Sequence, residues 1–143
     1  MYQQILIAVD GSDASRSALE DGLKLAREQG AKVLLLNVYE PIVRSALHGV
    51  IDLTQAMREE GEQIIAGALD IARKAGVEVR TRVIDAVGRR VASVIVEEAD
   101  AEGADLIVLG THGRRGLEHL VLGSVAEGVA RRAKTPVLLI RKA

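Results

Sequence analysis

Five short apolar runs punctuate the chain: Ile5–Val9 (ILIAV), Lys32–Val38 (KVLLLNV), Val77–Ile84 (VEVRTRVI), Asp105–Gly110 (DLIVLG) and Pro136–Ile140 (PVLLI). Several are apolar throughout instead of alternating, the pattern of strands covered on both faces. Between them, apolar residues return at helical spacing. Ala18, Leu19, Gly22, Leu23 and Ala26 form one stripe within Ser15–Gln29, and Ile64, Ile65, Ala68, Leu69, Ile71 and Ala72 another within Thr54–Ala75. Val91, Ile95 and Ala99 share the face of a third helix, and Val125, Val129 and Ala133 that of a fourth. Gly30, Gly76 and Gly103 each follow a stripe and precede a strand, where a left-handed residue ends a helix. Ser12 or Asp13 stands where the first helix needs a cap. The order β-α-β-α-β-α-β-α-β predicts one α/β domain over residues 1–143, with a parallel sheet, right-handed crossovers and helices on both faces. Tyr39–Leu53 (YEPIVRSALHGVIDL) is expected to be one long irregular connection, and connections of that length are commonly functional.

Composition narrows the partners. The apolar share comes from Ala, Val, Leu and Ile; Phe and Trp are absent, and Tyr2 and Tyr39 are the only aromatic residues. Single-stranded nucleic acids are gripped on aromatic faces, and polyanions by excess positive charge, so a net charge of −1 with two tyrosines argues against both. The lack of cysteine excludes disulfides, thiolate zinc sites and a thiol nucleophile, and suits a reducing compartment. The start MYQQILIAVDGS has no basic n-region or long apolar core, and no apolar run reaches membrane-spanning length, so a cytoplasmic location is expected. The runs REEGE (Arg58–Glu62) and EEADAE (Glu97–Glu102) suit solvated helix faces, and His48 and His119 suit the surface. No pair of histidines has metal-ligand spacing.

One stretch calls for chemistry. After the fourth strand the chain reads GTHGRRGLEHLVLGS (Gly110–Ser124), with glycines at 110, 113, 116 and 123. Glycine costs backbone entropy on ordering, so the cluster implies a mobile turn or a close approach to the backbone. Bare amides running into a helix N-terminus make an anion site, to which Ser124 adds a hydroxyl and Arg114 and Arg115 add positive charge. His112 can touch a phosphate, although a backbone-only contribution is the simpler account. In a parallel sheet this stretch shares its edge with AVDGSD (Ala8–Asp13) and NVYE (Asn37–Glu40), where α/β proteins bind ligands. A Walker A loop is absent because no Gly-Lys pair occurs, and the first strand runs into DGSD instead of a dinucleotide fingerprint.

The spacing Gly110-x2-Gly113-x9-Gly123-Ser124 resembles the G-2x-G-9x-G-S/T motif of the universal stress protein family, in its ATP-binding branch. The resemblance spans essentially the whole chain, from ILIAVDGSDASRSAL through VLLLNV to ADLIVLGTHGRRGLEHLVLGSVAEGVARRAKTPVLLI. It implies an open five-stranded sheet of order 3-2-1-4-5, Rossmann-like and similar to adenine nucleotide alpha hydrolases. It also implies ATP, with AMP, ADP or cyclic AMP as alternatives, and Mg2+ held mainly by phosphates with Ser124 as a candidate ligand. By the same resemblance Asp10 would lie near adenine and ribose with Ala8 beside it, and Val38 would offer its backbone to the base. Gly110, Gly113, Gly123, Ser124 and the Val125 amide would hold ribose and phosphates, with Thr111 and His112 in the same loop; Gly116 is outside the motif. A homodimer through Val137, Leu138, Leu139 and Ile140 is implied too. Where members often carry Gly-x-Pro, this chain reads Gly88-Arg89-Arg90.

Four functional classes are to be weighed. A regulatory ATP-binding module needs only the cradle. An enzyme that hydrolyses ATP slowly or phosphorylates itself needs a placed base, and none stands out. A phospho-receiver would use Asp85, but Asp10 lacks an adjacent acid and Lys134 precedes the last strand instead of following it. A flavodoxin would need aromatic faces for its flavin.

Overall fold

The computed structural model describes residues 1–41, 43–47, 49–113 and 122–142. Strand β1 (Gln4–Ala8) leads through helix α1 (Asp13–Gln29) to β2 (Lys32–Tyr39). A hairpin of β3 (Val43–Ala46) and β4 (Gly49–Asp52) precedes α2 (Thr54–Lys74). Then come β5 (Val79–Asp85), α3 (Val91–Ala101), β6 (Leu106–Gly110), α4 (Ser124–Arg132) and β7 (Val137–Ile140). Five strands form one sheet in the order β5-β2-β1-β6-β7, all neighbours parallel. With the hairpin left out of the count this is the expected 3-2-1-4-5.

Alternation along the central strands splits the core in two. Ile5, Ile7, Val33, Leu35 and Val108 face α1 and α2, while Leu6, Leu34, Leu36, Ile107 and Leu109 face α3 and α4. This double burial explains why β1, β2 and β6 read as continuous apolar runs. The α1 stripe lies so close to β1 that a Cβ on Gly22 would fall 2.7 Å from Ile7 Cδ1. Helix α1 starts where Ser12 Oγ accepts from the Ser15 amide at 3.2 Å, and it ends at Gly30 with φ 68°, a left-handed cap.

One expectation is corrected. Tyr39–Leu53 is not irregular throughout: Val43 pairs with Asp52, and Ser45 with Val50, in an antiparallel hairpin whose second strand opens at Gly49 (φ 133°). The signal was missed because Val43, Val50 and Ile51 lie in short runs and stay largely exposed, so no buried face imposes a period on them.

The two sheet edges differ in chemistry. Along β5, Arg80 pairs with Glu102, and Arg82 with Glu98 and Glu102, so ion pairs to the end of α3 and the residue after it line that border. The β7 border is Val-Leu-Leu-Ile, with Leu138 36% exposed.

Candidate functional site

Strand order reverses between β1 and β6, and the chain departs from the sheet at both of their carboxyl ends. After β1, the Val9 amide donates to Leu36 O at 2.9 Å and the chain turns at Gly11 (φ 85°). Asp10 is pinned there: its Oδ1 accepts from the Ser12 amide at 2.9 Å, and its own amide donates to Ser15 Oγ at 3.0 Å. After β6, the Thr111 amide donates to Ile140 O at 2.9 Å, and Thr111 O accepts from the Gly123 amide at 2.8 Å. That last bond returns the chain to its point of departure, at the start of α4. Gly123 provides no side-chain cap to α4, so the first-turn amides, which have no partner within a helix, face outward beside the exposed Ser124.

These ends surround a cavity of ≈ 760 Å³, within the usual range for small-molecule sites. Ala8, Asp10, Val38, Gly110, His112, Gly113, Gly123, Ser124 and Val125 all line it. Asp10 and Gly113 are direct neighbours, since a Cβ on Gly113 would sit 2.9 Å from Asp10 Oδ2. Thr111 is buried with both backbone groups used inside the fold, and its Oγ1 lies 3.0 Å from His112 Nδ1. Arg114, Arg115, Gly116 and His119 lie outside the described residues, as does His48.

The glycines have different reasons to be bare. A Cβ on Gly110 would fall 2.8 Å from the carbonyl carbon of Ala14 in α1, and one on Gly123 would fall 2.9 Å from Thr111 O. Both positions admit the protein's own backbone. Of these three motif glycines, Gly113 is the one bare against a polar side chain of the cavity, and none of the three has positive φ.

Another part of the lining was only partly anticipated: NVYE placed Asn37 and Tyr39 on this edge, but the contribution of α2 was missed. Asn37, Tyr39, Met57, Gly61 and Ile64 line the cavity too, as do Val91 and Ile95 of α3, Pro41, and Val43 of the hairpin. Asn37 was visible as a polar residue inside the apolar run of β2; the helix residues needed the fold. The Gly88-Arg89-Arg90 segment does not line the cavity, and Arg89 is held by Glu97 of α3. That hydrogen bond holds the Glu97 carboxyl below its ordinary pKa.

The architecture and the cavity define a doubly wound α/β protein with a ligand-sized pocket at its switch point. The Universal stress protein family profile matches residues 1–141, and the chain belongs to that family. It is 37% identical to universal stress protein MJ0531 of Methanocaldococcus jannaschii, over 99% of this chain and 84% of that protein. It is 34% identical to universal stress protein YxiE of Bacillus subtilis, over 99% of this chain and 100% of that one. Among solved structures, a universal stress protein in complex with cAMP superposes with a TM-score of 0.74 at 29% identity, covering 99% and 98% of the two chains. One from Archaeoglobus fulgidus in complex with dAMP gives 0.70 at 28% identity, covering 97% and 98%. Among the described residues, no helix is long and apolar enough to cross a membrane.

Proposed function

We propose that this protein is a cytoplasmic adenine-nucleotide-binding module with a regulatory or sensing role in the stress response, ATP being the ligand and AMP, ADP or cyclic AMP the alternatives. The observation that carries this is the convergence of Asp10, Gly113 and the uncapped start of α4 on one cavity of ≈ 760 Å³. Here Asp10 meets the ribose, and the Val38 backbone meets the base along the edge formed by Ala8. The amides of Gly113, Ser124 and Val125, with the Ser124 hydroxyl, meet the phosphates. Gly110 and Gly123 let the loop ends pack tightly enough to hold those amides in place. The relatives solved with cAMP and dAMP support this assignment, because both ligands join adenine to a sugar and a phosphate.

Among the described residues, no group of three or more acidic or imidazole side chains is placed to hold a metal ion. Mg2+ would therefore arrive on the phosphates of ATP, with Ser124 as the nearest candidate ligand from the protein. Such a cradle binds without turnover. A single-turnover measurement with labelled ATP separates this module from a slow ATPase or a self-phosphorylating enzyme.

Calorimetry of AMP and Mg-ATP binding to wild type and Gly113→Val tests the site. The added side chain crowds Asp10, and affinity is expected to fall at least about tenfold. Equal affinities would refute the assignment of this loop.

We further propose a homodimer through Val137, Leu138, Leu139 and Ile140. The support is the contrast between borders: β5 is lined by ion pairs, whereas β7 presents an apolar edge with Leu138 exposed.

A further inference from the structure

Asn37 is 4% exposed, on the side of β2 where Val33 and Leu35 precede it. The two halves of its amide have different fates. Nδ2 donates to Val9 O at 2.9 Å. Oδ1 is buried without a hydrogen-bond partner and abuts Gly61 of α2, where a Cβ would lie 2.5 Å from it. An unmet buried acceptor is costly, so packing alone does not account for an amide at this position.

The bond that Asn37 makes falls where the sheet opens. In a strand, the backbone groups of one residue point to one neighbouring strand, and those of the next residue point to the other. Leu36 O accepts from the Val9 amide, so Leu36, and with it Val38, turns toward β1. Tyr39 O accepts from the Ala86 amide, so Tyr39 turns toward β5. One more step of the β1–β2 ladder would carry the Val38 amide to Val9 O. The Asn37 side chain occupies that acceptor instead, and among the described residues no backbone bond joins Val38 to Val9.

We infer that Asn37 is a positioning residue for base recognition: its side-chain amide ends the β1–β2 ladder one bond early and leaves the Val38 N–H and C=O turned toward the cavity as a donor–acceptor pair. This rests on reading the cavity as a nucleotide site. Val9, Asn37, Val38 and Gly61 all line it. Gly61 completes the device, because a side chain there would push the amide off Val9 O.

Hydrogen exchange of the Val38 amide, followed by NMR on the whole chain with and without AMP, tests the inference. In ligand-free wild type this amide should exchange about a hundredfold faster than that of Leu36, which points to the same neighbour. Asn37→Val returns Val9 O to the ladder. Exchange at Val38 should then slow at least tenfold, and AMP affinity should drop about tenfold, the worth of one hydrogen bond. Gly61→Ala displaces the amide by crowding and should shift both readouts the same way, with thermal unfolding reporting whether each variant stays folded. A protected Val38 amide in ligand-free wild type, or unchanged exchange in both variants, overturns the inference. Fast exchange that slows in the variants, but with AMP never perturbing Val38, overturns the role in base recognition and the nucleotide assignment while leaving the shortened ladder intact.

Discussion

Replacing Gly110 by alanine separates two reasons for a bare residue at the end of β6. If the position is empty for a ligand, the substitution should weaken binding and leave folding alone. The geometry says otherwise, because the new Cβ would lie 2.8 Å from both the carbonyl carbon and the Cβ of Ala14, and 3.0 Å from its carbonyl oxygen. Those are backbone and near-backbone atoms of α1, which cannot rotate aside. Overpacking of this kind costs about 1–3 kcal/mol. Against it stands the lower unfolded-state entropy of alanine, about 0.4–1 kcal/mol where the backbone conformation is compatible, and Gly110 has no positive φ. The clash wins, with a net loss of about 1–2 kcal/mol. For a chain of this length that is a fall of about 3–7 °C in Tm, measured by calorimetry at fixed protein concentration. Gly67→Ala is the control: it lies in α2 with nothing within 4 Å of the added Cβ, so the same change should stabilise by about 0.5–1 kcal/mol. An unchanged Tm for Gly110→Ala together with lost nucleotide affinity would refute the packing explanation.

Other expected outcomes are simpler. Ser12→Ala removes the acceptor for the Ser15 amide and should cost about 1 kcal/mol in urea unfolding, with an unchanged m-value. Leu138→Arg puts charge on the β7 border and should yield monomers by light scattering at a concentration where wild type is paired; identical masses would count against the dimer. Glu97 titrates below its ordinary value because Arg89 donates to it, so this pair helps stability above the unfolded carboxylate pKa and loses its effect as pH falls through the folded value. In Arg89→Gln, the NMR titration midpoint of Glu97 should move back up.

The architecture was legible because the burial pattern is written twice. Continuous runs mark β1, β2 and β6, which are covered on both faces, and the helices between them carry stripes such as Ala18-Leu19-Gly22-Leu23-Ala26, all buried. Edge strand β5 was the harder case: with Arg80, Thr81 and Arg82 exposed, its limits moved from Val77–Ile84 to Val79–Asp85. The motif wall of the cavity could be read because its residues sit at fixed spacing in one segment. The contribution of Gly61 and Ile64 could not, since packing alone brings that helix against Asn37, more than twenty residues earlier in the chain. Spacing alone also does not separate two reasons for a bare residue. Gly110 and Gly123 fit a phosphate motif, yet their missing side chains are already explained by Ala14 and Thr111.

The guanidinium–carboxylate pairs along β5 have a consequence for assembly size. A sheet that accepts a new strand at either flank can polymerise without limit, whereas one with a single receptive flank is spent once that flank meets its own copy about a two-fold axis. The charges of Arg80 and Arg82 along β5 disfavour a new strand at that flank, so growth by sheet extension through β7 would end at a closed pair.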